Sequence, residues 1–478
     1  MTATVRVWTG TAIFAAGYFA LGADRYATYH SGADLGLFTQ SIATVFHGFR
    51  NSVEGGSHFT VHFSPILYLC APVLLAMRSP LALVGLQAVA CALAAPPLYL
   101  FARRRVGESL ASGVAVVALL YPPLAGVTFA DFHENGFAPA ATMWLLWAVD
   151  ARRWRWAALF AVLTLAVKED QAVIVGCAAI FAIVYFVRRG ERAGVVFGVA
   201  ALVAAAVVFV GFFAVVRPLA GARDLWGPLH FYSWSRPVAD ATPWWSLARP
   251  SYFVEAMIPL AFVGITQPLF LLALPGFAED LLSHESITFT MGQHYAAVWI
   301  GYVLAAFAAG IAAIARRSAP RAVTVVRTCT VVCVLVLAFA SPTHWGHYLR
   351  SRDPHDRELD RTIAQLPATI AVGTHDEIFA HLGFDPNASL GLTRDPRYAL
   401  VDGTFATSYW VQRMQPRLEL EVDAGRYALV RSAQGIRLYE RIGRAGGRRN
   451  AARDRESESP WTLERRSSIS LSRTAATR

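Results

Sequence analysis

The chain has 478 residues, 55% of them hydrophobic and 16% charged, with a mean hydropathy of +0.40. That balance excludes an ordinary water-soluble domain, whose apolar residues are fewer and recur at helical or strand periods. The formal charge of +10 is no argument for nucleic acid as a partner, because residues 441–478 alone carry ten arginines against four acids and read as a disordered basic tail.

In chain order, apolar blocks place candidate spans at 7–21, 81–101, 109–130, 136–149, 155–167, 171–187, 194–216, 295–315 and 322–340. Between 253 and 281 two shorter apolar pieces, broken by Gly264, Pro268 and Pro275, read as a hairpin of short helices. The sequence therefore predicts a polytopic α-helical membrane protein, with about eleven transmembrane helices in residues 1–340. Segment 64–77 falls short of a straight span and contains Pro65 and Pro72, so it is expected to be interfacial or re-entrant. The five cysteines all lie in apolar blocks and read as small buried hydrophobes.

Arginine clusters at 103–105, 152–155, 188–192 and 316–321 occupy alternate loops and are expected in the cytoplasm. The N-terminus then starts inside, in a cell (plasma or inner) membrane. The extracytoplasmic face receives the outer loop 22–80, the turn around His133, the triplet at 168–170, the loop 217–252 and the chain from 341 onward. All 13 histidines fall on or beside that face. Trp226, Trp234, Trp244 and Trp245 in the loop 217–252 suit the membrane interface. Residues 341–440 read as a small extracytoplasmic α/β domain: helix 355–366, strand 369–373, helix 375–382, strand 398–402 and a closing pair near 426–440. It carries no GxGxxG or Walker loop, and a lid or acceptor-binding scaffold is its expected role.

Ionisable groups beside apolar spans are costly and are functional candidates by default. Three clusters qualify: Tyr29 to Gln40 with His58 to Pro65, Asp131 to Asn135, and Lys168-Glu169-Asp170. Asp34 follows Gly32 and fits either a helix N-cap or a chemical role. His58 and His62, spaced i, i+4, fit metal ligation or ordinary hydrogen bonding. Asp131, His133 and Glu134 fit an interfacial polar turn or a site, and the 168–170 triplet fits a structural ion pair or a functional centre.

The Asp34-Leu35-Gly36 stretch, HFSP at 62–65, Gln87, FHE at 132–134, the KED triplet and the His294-Tyr295 pair occur in an order that resembles a family of predicted membrane proteins, domain-of-unknown-function family twenty-seventy-nine. That family is itself similar to the C-type (GT-C) glycosyltransferases. The resemblance implies an enzyme using a polyprenyl-phosphate sugar donor, with an acidic residue of the first outer loop in catalysis and a soluble outer domain after the spans. No DxD or WWDYG-like motif accompanies it.

Such chemistry needs a base for the acceptor hydroxyl and a cation for the departing phosphate. Asp34 is assigned as base and Lys168, the sole lysine in the chain, as phosphate stabiliser, with His133 or His62 assisting and Glu134 beside them. Glu169, Asp170, His62, His294 and Tyr295 are expected to bind substrate. A divalent metal is conceivable, with His58, His62 and Asp131 as candidate ligands. The alternative is a transporter or flippase, which would place charges near the midplane on broken helices and often carry an internal repeat. Here the charges gather on one face and no repeat is visible.

Overall fold

The computed structural model describes residues 2–224, 227–232, 241–343, 349–367 and 370–442. Trp226, Trp234 and all but the first two residues of the basic tail lie outside them.

Among the described residues, sixteen α-helices precede the C-terminal domain. They are α1 (Ala3–Ala27), α2 (Ala33–Ala43), α3 (Leu67–Met77), α4 (Leu81–Ala92), α5 (Ala95–Val106), α6 (Glu108–Leu119), α7 (Pro122–Phe129), α8 (Ala138–Asp150), α9 (Trp154–Leu165), α10 (Asp170–Arg188), α11 (Arg192–Gly211), α12 (Arg217–Ala220), α13 (Ala248–Met257), α14 (Leu274–Leu282), α15 (Ala297–Arg317) and α16 (Ala319–Phe339). Every candidate span falls on one of these helices or on a helix pair.

Among the described residues five segments are long and apolar enough to cross a membrane: Leu81–Val106, Asp170–Arg188, Arg192–Ala220, His294–Arg317 and Ala319–Phe339. The pair α6 and α7, bent by 47°, makes a sixth. At 1.5 Å per residue α8 and α9 are about 20 and 18 Å long, short of a bilayer core of about 30 Å. The hairpin 253–281 is built of short pieces, with a 3₁₀ turn at Pro268–Leu272 leading into α14. Segment 64–77 forms the 11-residue α3, with Pro72 inside it.

Burial separates core from periphery. Helix α15 is the axis of the bundle, with Trp299, Tyr302 and Phe307 fully buried against the surrounding helices. In α11, by contrast, Val196, Val199, Val203, Val207 and Val210 are all exposed, a helical stripe suited to lipid. The opposite face of α11 is made of small residues, Gly194, Gly198, Ala201 and Ala205, which let α10 approach closely. A Cβ on Gly198 would stand 2.7 Å from Ile183 Cγ1, and one on Gly194 2.3 Å from Phe186 Cγ.

The C-terminal domain adds α17 (Pro354–Ala364), β1 (Val372–Thr374), α18 (Asp376–Phe379), β2 (Ala388–Leu390), β3 (Tyr398–Asp402), α19 (Tyr409–Asp423), β4 (Tyr427–Ala433) and β5 (Ile436–Arg441). The sheet order is β2-β1-β3-β5-β4, with β1 parallel to both neighbours and β5 antiparallel to β3 and β4. The sequence reading missed β2 and α19. The first is three residues long, and the second is polar over most of its surface and carries Pro416.

This domain packs on the segment between α1 and α2. His381 lies between the rings of Tyr26 and Tyr29, at 4.1 and 3.9 Å, and its Nε2 faces the Tyr26 carbonyl oxygen at 3.0 Å. Tyr29 donates its hydroxyl to Asp360 at 2.7 Å, and the Gln40 amide donates to the Asp385 carbonyl at 2.7 Å. The domain and the Asp34 loop therefore share one side of the bundle.

Because the α10–α11 contact has no room for a branched side chain, Gly198→Val should destabilise the protein by about 1–3 kcal/mol. Gly176 on the same helix pair has only ordinary contacts at 3.8–3.9 Å, so Gly176→Ala should leave the thermal unfolding midpoint near wild type. Equal midpoints for Gly198→Val and wild type would contradict this packing.

Candidate active site

The polar site assembles where the loop after α2 folds back over the starts of α8 and α10. Its first fixed point is Asp131, which receives the Arg25 guanidinium and, at 2.5 Å, the Gly32 N–H. A Cβ at position 32 would meet the same carboxylate oxygen at 2.5 Å, so any larger residue there would displace the Asp131 carboxylate. Gly32 is the N-cap of α2, without a side-chain cap bond. Asp34 is thus not the cap: it stands in the first turn, where its charge complements the helix dipole.

Gln87 holds the second fixed point. Its amide donates to the carbonyls of Val127 and Ala130 at 3.0 and 2.9 Å, and its oxygen accepts the His133 N–H at 2.8 Å. This shapes the FHE turn. The His133 ring stacks on His294 at 3.6 Å and 8°, and His294 in turn contacts the Tyr295 ring at 4.1 Å.

The HFSP motif joins both polar turns to the start of α10. Glu169 accepts the Phe63 N–H at 2.8 Å and faces His62 Nδ1 at 2.8 Å, while Ser64 donates its hydroxyl to Glu134 at 3.1 Å. The Ile66 N–H adds a bond to the Ala166 carbonyl at 2.8 Å. Three clusters separated by up to about a hundred residues thus meet in one place. His58 approaches His62 with 5.7 Å between ring centres but turns its Nδ1 to Glu54, at 3.0 Å.

Lys168, 7% exposed, lies within the cluster with its ammonium 3.2 Å from Asp170. Burial opposes its charge, but Asp170, Glu169, Glu134 and Glu279 outweigh that and push its pKa up, so it stays an ammonium. Burial would raise the Glu169 pKa, yet His62, Lys168 and the Phe63 N–H hold it at about 2. Glu134 has the opposite balance, since burial dominates and raises its pKa. Burial and the neighbouring His294 and Lys168 keep His133 well below the ordinary histidine value, and the ring is neutral. Against burial, Glu54 lifts His58 to about 9.

Several buried polar atoms here have no hydrogen-bond partner among the described residues: Glu134 Oε2, both side-chain polar atoms of Asn135 and His58 Nε2. His133 Nδ1 is 3.1 Å from Glu134 Oε2, but it accepts the Asn135 N–H at 3.4 Å and has no proton to give. Buried polar atoms are ordinarily paired, so these atoms make the turn a candidate for polar contacts beyond the chain itself.

Two participants escaped the sequence reading. Glu54 supports His58, and Glu279 from α14 shares a hydrogen bond with Asp170 beside Lys168. Adjacent acids at 279 and 280 within an apolar hairpin were the available signal. Asp280 itself is structural, accepting from Tyr252 at 2.7 Å and Trp299 at 2.9 Å.

The metal candidates do not converge among the described residues: His58, His62 and Asp131 face Glu54, Glu169 and Arg25 respectively. Among the described residues, the one group of three metal-ligating side chains with donor atoms within 4.8 Å of one another is His375, Asp376 and Glu377. His375 Nε2 accepts the Asp402 N–H at 3.1 Å and Nδ1 faces Glu377 at 2.7 Å, so a neutral ring there has no lone pair left for a metal. Burial lowers His375 to about 4 and keeps that ring neutral.

No curated protein matches the chain in sequence. Among solved structures, ArnT from Cupriavidus metallidurans bound to undecaprenyl phosphate aligns with a TM-score of 0.54 at 11% identity, covering 92% of this chain and 99% of that one. Its apo state aligns at 0.56 and 12%, covering 91% and 98%. The archaeal oligosaccharyltransferase AglB from Archaeoglobus fulgidus, in complex with an inhibitory peptide and a dolichol-phosphate, aligns at 0.43 and 13%, covering 86% and 70%. The likeness to ArnT shows a shared fold. Residues 25–355, more than half of the chain, match one family model, and the chain belongs to the family of predicted membrane proteins DUF2079.

Proposed function

We propose that the protein is a GT-C-like glycosyltransferase that moves a sugar from a polyprenyl-phosphate donor to an acceptor hydroxyl on the extracytoplasmic face of the cell membrane. The observation that carries this reading is the buried ammonium of Lys168, held by carboxylates at the polar end of a bundle whose fold is that of ArnT. The undecaprenyl phosphate in one ArnT structure supports a lipid phosphate as ligand class.

In the proposed reaction the acceptor oxygen bonds to the anomeric carbon as the bond from that carbon to the phosphate oxygen breaks. The proton passes to Asp34, and the electron pair leaves with the lipid phosphate. Lys168 faces the departing charge as a compact point cation with three donors. Neutral His133 donates a hydrogen bond to the same group from Nε2, the half-buried His62 assists by holding Glu169, and Glu169 and Asp170 orient Lys168 and the acceptor. His294 and Tyr295 provide a ring surface for the sugar.

The carboxylates around Lys168 outnumber it and would repel a phosphate unless compensated. Burial raises the pKa of one of them, Glu134. Oxygen donors suit a hard divalent cation, and the unpaired Glu134 Oε2 and Asn135 Oδ1 are the groups that would hold one, supplying positive charge for the phosphate. In the same reading the eleven-crossing topology puts the arginine loops in the cytoplasm and the C-terminal domain outside. There the domain covers the site as a lid or acceptor scaffold.

Lys168→Ala should abolish release of polyprenyl phosphate from a lipid-linked sugar and destabilise the protein by about 3–5 kcal/mol, since carboxylates lose their counter-charge. Lys168→Arg should keep the stability and still lose at least about tenfold in turnover, near 1.4 kcal/mol of barrier. Wild-type turnover in the arginine variant would remove Lys168 from the leaving-group role, and transbilayer movement of the lipid without release of its phosphate would favour a flippase.

Asp34→Asn should leave the unfolding free energy within about 1 kcal/mol of wild type, because asparagine keeps the shape of the side chain and a first-turn charge contributes no more than that, while turnover falls by a factor of about 100 or more. Retained turnover would rule out Asp34 as base. Reporter fusions after residues 40 and 440 should both report export, and one after Arg153 should not; opposite signals from the first two would contradict the shared face.

A further inference from the structure

An apolar cavity lies away from the polar site, at the arginine end of the bundle. It encloses about 810 Å³ between α8, α10, α11, α15 and the 3₁₀ turn before α14, within the 300–1,000 Å³ typical of small-molecule sites. Its walls are apolar, with Val175, Ala178 and Ala182 from α10 facing Ala201, Leu269 and Leu272. Its rim carries Arg105, Arg152, Arg188, Arg189 and Arg316 against the single acid Asp150.

Two of the rim arginines are already engaged, Arg105 with Asp150 and Arg152 with Glu191 at 2.7 and 2.8 Å. Arg188, Arg189 and Arg316 form no ion pair with a carboxylate among the described residues, and Arg189 lies 4.6 Å over the Tyr185 ring. Three positive charges are left at the mouth of an apolar chamber. The chamber runs along α10 from Val175 to Arg189, about 21 Å at 1.5 Å per residue, more than the roughly 15 Å hydrocarbon depth of one leaflet. Helices α10 and α11 are among the least buried spans, so the chamber's flank borders lipid.

We propose that this cavity binds one anionic phospholipid from the leaflet on the arginine face. Its acyl chain lies between α10 and α15, and its phosphate is held by Arg188, Arg189 and Arg316. Guanidinium groups engage phosphate bidentately, and basic pockets between membrane helices recognise lipid headgroups. The site is distinct from the polar cluster, since Lys168 and Arg188 lie at opposite ends of α10, about 30 Å apart along the helix. It does not rest on the glycosyltransferase reading, only on membrane insertion.

The test is native mass spectrometry of the full-length protein extracted from vesicles of equimolar phosphatidylglycerol and phosphatidylcholine. Wild type should retain one phosphatidylglycerol in several-fold preference over phosphatidylcholine. Arg188→Gln/Arg189→Gln/Arg316→Gln should bring that ratio to about one, and Ala182→Trp, which fills the chamber, should reduce retention of both lipids. Arg192→Gln/Arg317→Gln/Arg321→Gln removes as many charges from the same face without touching the cavity and should keep the preference. An unselective wild type, a rim variant that stays selective, or a control variant that loses selectivity equally would each overturn the assignment.

Discussion

The carboxylate of Glu169 is the joint on which the polar face depends. One oxygen meets the His62 ring and the other accepts the Phe63 N–H, which ties the loop after α2 to the start of α10. A buried carboxylate is tolerable only when it is hydrogen-bonded and opposed by positive charge. Both conditions are met by neighbours that are themselves candidates for chemistry, His62 and Lys168. Stability and the proposed chemistry therefore draw on the same contacts. The chain can hold an ammonium, several carboxylates and neutral histidines in one small volume only because they compensate one another.

The second constraint is the seat of the C-terminal domain. His381 stacks between Tyr26 and Tyr29, and burial lowers its pKa to about 4, so it enters as a neutral aromatic plate. Gln40 reaches the Asp385 and Ala388 carbonyls from α2, the helix whose first turn holds Asp34. The domain thereby braces the helix that presents the proposed base, and a shift of one would be felt by the other. This is a mechanical link between a soluble module and the membrane bundle, made by a few aromatic and amide contacts.

Helix α10 is the common element of both ends of the molecule. Its first residues belong to the cluster around Lys168, its middle packs on the small-residue face of α11, and its last arginines rim the apolar chamber. Close packing of α10 on α11 at Gly194 and Gly198 fixes its position, and with it the relative placement of both polar ends. The buried α15 supplies the rigid wall opposite.

By itself the sequence determined the membrane class, the places of the apolar helices, the small α/β domain and the three polar clusters. These are legible because hydropathy is a property of each residue and its near neighbours, and a charge flanked by apolar spans stands out without knowledge of its partner. Partnership was decided only in three dimensions. That Glu169 answers His62 while His58 turns to Glu54, that Gly32 rather than Asp34 caps α2, and that Glu279 joins Lys168 from a hairpin a hundred residues away depend on backbone paths that local composition does not encode. The same holds for β2 and α19, which are short or polar and become regular only where the sheet and its packing supply the missing contacts. The arginine-rimmed chamber belongs to this group as well, because a cavity is the space left between helices, and no single stretch of chain contains it.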